Sequence, residues 1–259
     1  LVVLSPHYDD AVCSVGAAIA ARSDAGDDVV IVTVCGAAVD ASRACDDRRA
    51  AGIVGARAMH LGVKDAPLRG HTLSYEALCC CADDDDVAAV MADAIADVVA
   101  GADDVWAPLG VGAHVDHRAL FQATLVTTTS AAFYEDRPYA RAPGAVATRW
   151  RALGAERDEG NAADDDDAQG DDDVDHVVYF LDHIGASALP SPRRAPALVR
   201  YRGLSYRRER LVVSADGRRR RLEAIEAYRS EANVLVGGSR GGPGWPWTDG
   251  CEHLWSATR

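Results

Sequence analysis

Two short clusters gather the residue types that hold metal ions and move protons: His7-Tyr8-Asp9-Asp10 near the start, and His114-Val115-Asp116-His117 more than a hundred positions later. Imidazole nitrogen and carboxylate oxygen are the donors of catalytic zinc, which takes three protein ligands and keeps a fourth position open for water. His7 and Asp10, spaced i, i+3 at a helix start, can present both donors on one side, and His117 can complete the set from a facing loop. Asp9 is then left unligated beside the metal, placed to take a proton from the attacking water, while His114 remains as a donor that stabilises or protonates the developing charge. Asp116 can orient His114 or His117 as a carboxylate behind the ligands, or serve as a helix cap. Each cluster alone also has a plainer explanation. An Asp-Asp pair at a helix start is often only a cap, and a loop histidine is often only a polar surface residue.

The two clusters meet only if the elements around them bring them together. The first half of the chain alternates short apolar runs with longer amphipathic stretches, the pattern of a parallel sheet covered by helices. Strands are predicted at residues 1–4, 29–34, 57–61, 104–108 and 132–134, and helices at 10–22, 43–54, 87–99 and 117–129. The fold class is α/β, a Rossmann-like doubly wound, mostly parallel sheet with helices on both faces. In the strand order 3-2-1-4-5, strands one and four are neighbours whose connections diverge to opposite faces, and the crevice past their C-terminal ends is the expected ligand site. Both clusters lie just past those ends. The remainder is predicted to hold a strand at 177–181, a helix at 222–233 and an irregular Gly-, Pro- and Trp-rich segment at 237–247, all within a single domain spanning 1–259. The acidic stretch at about 156–175 has too few apolar residues to bury and is expected as a mobile surface loop; it lacks the fixed Gly and Glu of an EF-hand. The Asp83-Asp86 run precedes a helix, where carboxylates favour the N-terminal dipole.

Composition narrows the partners. The 40 acidic residues against 27 basic leave a formal charge of −13, a poor field for nucleic-acid phosphates or an anionic membrane surface. No apolar run is long enough for a membrane span. Seven cysteines, an odd number with Cys79, Cys80 and Cys81 adjacent and no CxxC pair, point away from a disulfide framework or a cysteine zinc ribbon and toward a reducing, cytoplasmic setting. The segment from Ser5 to Ser14 contains no glycine, so the dinucleotide-binding fingerprint expected after the first strand is missing. Cys13 reads as packed rather than reactive, and His60 and His71 as structural. His176, His183 and His253 match no ligand spacing. Trp245, Trp247 and Trp255 could form a stacking face for a sugar, or pack the core.

Ser5-Pro6-His7-Tyr8-Asp9-Asp10-Ala11-Val12 followed by Gly16-Ala17, with Ala113-His114-Val115-Asp116-His117 downstream, resembles the LmbE/PIG-L family of zinc-dependent de-N-acetylases. Arg43-Ala44-Cys45-Asp46 is similar to the family's Arg-x-x-Glu helix, Asp65 sits where a substrate-facing Asp is usual, and residues 224–230 resemble the late Ala-x-x-x-Tyr-x-Ser-Gln motif. Tyr134-Glu135-Asp136-Arg137-Pro138-Tyr139 resembles a stretch of an actinobacterial, glycopeptide-deacetylase-like branch. Tyr8, Ala11, Val115, Asp46 and Glu231 depart from the usual residues, and none of them removes a proposed ligand. The resemblance implies that His7, Asp10 and His117 bind Zn2+ or another divalent metal, that Asp9 is the general base, and that His114 polarises the oxyanion or protonates the leaving amine. Arg43 and Asp65 would bind substrate, although a helix-surface ion pair also explains Arg43. The implied reaction removes acetyl from an N-acetylglucosamine-type amino sugar on a small glycoside or secondary metabolite, such as a glycopeptide pseudoaglycone. A thiol-cofactor precursor is the alternative substrate within the family, and a catalytically inactive sugar-binding module is the alternative outside it.

Overall fold

The computed structural model describes residues 1–37, 41–141, 144–157, 198–229 and 251–258. Nine strands form one sheet in the order β3-β2-β1-β4-β5-β9-β8-β7-β6. Its parallel half comprises β1 (Val2–Ser5), β2 (Val30–Thr33), β3 (Arg57–His60), β4 (Val105–Pro108) and β5 (Ala132–Tyr134), with β1 hydrogen-bonded to both β2 and β4. The expected 3-2-1-4-5 order is therefore present. β1, β2 and β4 are buried at every residue, as parallel strands covered on both faces must be. One face carries α4 (Asp85–Ala100) and α5 (Val115–Thr127), packed through Met91, Ile95, Leu120 and Phe121. The other carries α1 (Asp10–Asp24), α2 (Ala41–Ile53) and α7 (Ala215–Ala227), packed through Val12, Ile19, Ala50 and Ile225. Asp84 caps α4 by accepting the Val87 N–H at 3.1 Å, so part of the Asp83-Asp86 run serves the helix start. Short helices α3 (Tyr75–Cys79) and α6 (Ala145–Ala152) complete the α-helices among the described residues. Among the described residues, no helix is long and apolar enough to cross a membrane.

The second half of the sheet is antiparallel: β6 (Glu156–Arg157), β7 (Leu198–Tyr201), β8 (Leu204–Val212) and β9 (Cys251–Thr258), with β9 closing against β5. Arg202 and Gly203, both at positive φ, make the two-residue turn between β7 and β8. Two expectations need correction here. Glu156 and Arg157, expected at the start of the acidic loop, instead pair with β7. The helix expected from 222 starts at Ala215, where Ser214 accepts the Gly217 N–H at 2.9 Å as its cap; the arginines of its first turns hid that start. Of the two readings for Trp255, core packing holds: it is fully buried against Trp150, ring centroids 5.0 Å apart. The readings for residues 158–175, 177–181 and 237–247 lie outside the described residues, as do His176, His183, Trp245 and Trp247.

One buried charge joins the halves. Helix α1 breaks its helical dihedrals at Val15 (φ −136°, ψ 22°), and Glu252 of β9 accepts the Ala17 and Ala18 N–H groups at 3.0 and 2.7 Å. Arg221 of α7 neutralises Glu252 at 2.8 Å, with both side chains fully buried. Gly16 makes this approach possible, since a Cβ there would lie 2.9 Å from Arg221 Cγ.

Candidate metal centre

The turn leaving β1 is closed by Ser5, whose Oγ donates to the His7 carbonyl at 2.6 Å and accepts the Ala11 N–H at 3.0 Å. Asp10 then opens α1, and its Oδ2 accepts the His7 backbone N–H at 2.8 Å, folding the His7 ring back over its own carboxylate. On the neighbouring β4, the exit loop runs through Gly112 (φ +85°), where a Cβ would sit 2.3 Å from Tyr139 Cγ, to Ala113, itself at φ +62°. His114 caps α5 by accepting the Asp116 N–H at Nδ1, 3.2 Å away, so α5 starts two residues earlier than expected and His117 falls within its first turn.

These local folds bring three donors to one point. Asp10 Oδ2 lies 3.1 Å from His7 Nδ1 and 3.3 Å from His117 Nε2. Ligands held tetrahedrally by zinc at its usual bond lengths are about 3.3 Å apart. Each histidine is gripped at its other nitrogen by a buried carboxylate: His7 Nε2 by Asp116 Oδ2 at 2.9 Å, and His117 Nδ1 by Asp136 Oδ1 at 2.7 Å. Those carboxylates are anchored in turn. Asp136 Oδ2 accepts the N–H groups of Gly110 and Val111 at 2.7 and 2.8 Å, and Asp116 Oδ2 accepts the Ala66 N–H at 2.9 Å. Fixing the tautomer and direction of a ligating imidazole through its far nitrogen is the usual support of a metal site, and the residues present fit a divalent metal.

Asp116 therefore orients His7, not His114 or His117 as expected, because α5 turns its carboxylate back toward β1. The group behind His117 is Asp136. It stood inside a recognisable motif, yet nothing in the local pattern sets it apart from Glu135, whose carboxylate instead pairs with Arg208 at 2.7 Å. Telling the two apart requires knowing which way the chain leaves β5.

The field at the cluster suits a cation. Burial alone would lower the His7 pKa, but Asp10 and Asp116 outweigh it and hold the ring well above its ordinary value. His117, also opposed by burial, is raised to about 9 by Asp10 and Asp136. The His114 ring lies 5.0 and 5.1 Å from those of His7 and His117, and burial together with these two like-charged neighbours pushes it down to about 2. Asp10 answers in the opposite sense: burial would raise its carboxyl, but His117 and His7 hold it well below the usual range.

Asp9 occupies the cap position of α1 but makes no capping hydrogen bond with its side chain, so the plain capping explanation fails for it. Arg43 lies with its guanidinium 5.2 Å from the centre of the Tyr8 ring. Asp65 accepts the Leu68 N–H at 3.2 Å, at the start of a short 3-10 turn. Neither belongs to the metal cluster itself. Sequence reasoning also missed Asp47, fully buried between Thr33, His60 and Tyr228, where Asp46 was the expected counterpart of the family Glu; Asp46 instead accepts the Arg229 N–H. The Tyr228 hydroxyl lies 2.7 Å from the Tyr8 carbonyl, which ties this network to the His7 loop.

Residues 2–128 match the model of the GlcNAc-PI de-N-acetylase (PIG-L) family. No curated protein matches the chain. Among solved structures, it is similar to the A40926 pseudoaglycone deacetylase Dbv21, at 21% identity and a TM-score of 0.61, covering 100% of this chain and 96% of that one. It is also similar to a deacetylase–teicoplanin complex (19%, TM-score 0.62, covering 100% and 98%). A third similar structure is the zinc-inhibited form of the teicoplanin deacetylase Orf2 (19%, TM-score 0.63, covering 100% and 97%). At these identities the likeness is one of fold.

Proposed function

The chain belongs to the PIG-L/LmbE family of metal-dependent de-N-acetylases, and on that premise we propose that it hydrolyses the acetamide of an N-acetylglucosamine-type sugar carried on a glycopeptide pseudoaglycone. The observation that carries the reaction type is the convergence of His7 Nδ1, Asp10 Oδ2 and His117 Nε2, each imidazole held from behind by its own carboxylate. The substrate class is supported by the full-length likeness to deacetylases acting in glycopeptide biosynthesis, together with the residue 134–139 stretch.

His7, Asp10 and His117 would hold Zn2+ or another divalent ion, which supplies Lewis acidity toward the amide carbonyl and brings the pKa of water from 15.7 toward about 7. Asp9, adjacent to a ligand and not spent on capping, accepts the proton of the attacking water and delivers it to the leaving nitrogen. His114 acts as a hydrogen-bond donor to the carbonyl oxygen. Its Nδ1 accepts the Asp116 N–H, and its depressed pKa keeps the ring neutral, so its one proton sits on Nε2. Of the two roles expected for His114, polarising the oxyanion is thus favoured over protonating the amine. Arg43 and Asp65 are proposed to contact sugar hydroxyls, and a cytoplasmic setting is proposed from the cysteine content.

The test incubates zinc-loaded protein with N-acetylglucosaminides ranging from the free sugar to thiol and glycopeptide conjugates, and follows acetate release. Turnover highest on the glycopeptide member is expected. Turnover confined to a thiol conjugate would replace the substrate assignment, and release from none would remove the hydrolase reading.

A further inference from the structure

The catalytic set uses one side of His7, and the other side faces a second group of donors. Cys35 follows β2, where its backbone N–H donates to the Pro6 carbonyl at 2.9 Å and stitches it to the His7 loop. Donor atoms of Cys35, His7 and Asp116 all lie within 4.8 Å of one another, and Cys35 and Asp116 are buried. Asp116 Oδ2 faces His7 Nε2 and accepts the Ala66 N–H. Its buried Oδ1 accepts no hydrogen bond; Arg69 Nη1 is 2.8 Å away, close enough to pair charge but not aligned as a donor.

We propose that Cys35, His7 and Asp116 form a second divalent-cation site, selective for thiophilic ions such as Zn2+ or Co2+, whose occupancy inhibits the enzyme by taking the His7 lone pair. A sulfur, a nitrogen and an oxygen make a softer donor set than the two imidazoles and carboxylate of the catalytic group, so the two sites rank cations differently. They also compete. A neutral imidazole has one lone pair and one N–H. When Nδ1 ligates a cation beside Asp10 and His117, the ring proton sits on Nε2 and is donated to Asp116 Oδ2, 2.9 Å away. When Nε2 ligates a cation beside Cys35 and Asp116, the proton sits on Nδ1 and is donated to Asp10 Oδ2, 3.1 Å away. Both tautomers find a carboxylate acceptor already in place, so the ring can serve either site but not both. The proton balance is simple. The imidazole proton changes nitrogen within the ring, the Cys35 thiol loses its proton to water as the S–metal bond forms, and no group is oxidised or reduced.

The inhibitory consequence rests on the hydrolase reading; the site itself does not, so the experiment has two arms. In the first, wild type and Cys35→Ser are titrated with Co2+, and the near-ultraviolet thiolate-to-cobalt charge-transfer absorption is compared. Because the remaining cysteines are common to both proteins, the difference reports Cys35 alone. Stronger absorption in wild type beyond the first equivalent is expected, and superimposable titrations overturn the site. In the second arm, acetate release is measured as zinc is raised above one equivalent. Wild type should lose activity about tenfold or more while Cys35→Ser changes little, and equal inhibition of the two overturns the competition for His7. Cys35→Ala serves in both arms if the serine variant fails to fold. A chain that releases no acetate from any glycoside would still be decided by the cobalt absorption.

Discussion

Strands β1 to β5 and strands β6 to β9 share one sheet, yet they are built from different sequence and do different work. The centre of the parallel half, β1, β2 and β4, is buried on both faces, as in the VVLS of β1 and the VIVT of β2, and every residue of the candidate metal cluster hangs from the C-terminal end of a parallel strand. The antiparallel half is rich in arginine and exposed at many positions, as along the LSYRRERLV of β8, and among the described residues it contributes no donor to the cluster. Its contribution is support: Glu252 of β9 holds the break in α1. Separating chemistry from support lets each be changed without the other, and the comparison can be tested by substitutions in both halves.

The largest effect is expected from His117→Ala, which should abolish stoichiometric zinc binding by metal analysis and reduce acetate release to background. Full zinc content in that variant would exclude His117 as an essential ligand. Asp9→Ala should keep its zinc and lose about 10²–10⁴-fold in kcat. Asp136→Asn, which weakens the grip on His117 Nδ1 without removing a ligand, should cost about 10–100-fold in metal affinity or activity. Glu252→Ala should show the opposite pattern. Removing one partner of a fully buried ion pair is expected to cost about 3–5 kcal/mol of stability, read as a lower urea midpoint, while zinc affinity of the folded fraction stays close to wild type. Folded Glu252→Ala protein unable to bind zinc would dissolve the division between the halves.

The smallest effect is one of pH. Burial would raise the Glu135 carboxyl, but Arg208 prevails and holds it below its ordinary value. The stability this group contributes is therefore complete above the ordinary carboxylate range and is lost as pH falls through its lowered value. Glu135→Gln should flatten that part of the acid-unfolding curve, and an unchanged curve would show that the Arg208 pair adds nothing.

The same contrast governs what could be read from sequence. Parallel strands buried on both faces appear as uninterrupted apolar runs, so β1, β2 and β4 were legible directly, and with the α/β alternation their order and the meeting of His7 with His117 followed from topology. The antiparallel strands carry mixed, half-exposed side chains, and β9 places a glutamate, the least expected residue, at a fully buried position. The supporting carboxylates were partly hidden for a related reason. A ligand is recognisable by its residue type and its place at a strand end. The partner of its far nitrogen depends on the direction in which a helix or loop turns the side chain, so Asp116 was assigned to the wrong histidine and Asp136 to none.

The clamp on α1 also has a consequence in time. Glu252 contacts Ala17 from 235 residues away along the chain, one of the most non-local contacts in the molecule. On a ribosome, the strand and helix that carry His7 and Asp10 emerge early, yet the N–H groups exposed by the break at Val15 must wait for residue 252 before they find their acceptor. The nascent chain can assemble its parallel strands long before the helix bearing the proposed ligand Asp10 is locked, so a release assay on stalled chains should find that segment protease-sensitive until β9 has left the exit tunnel.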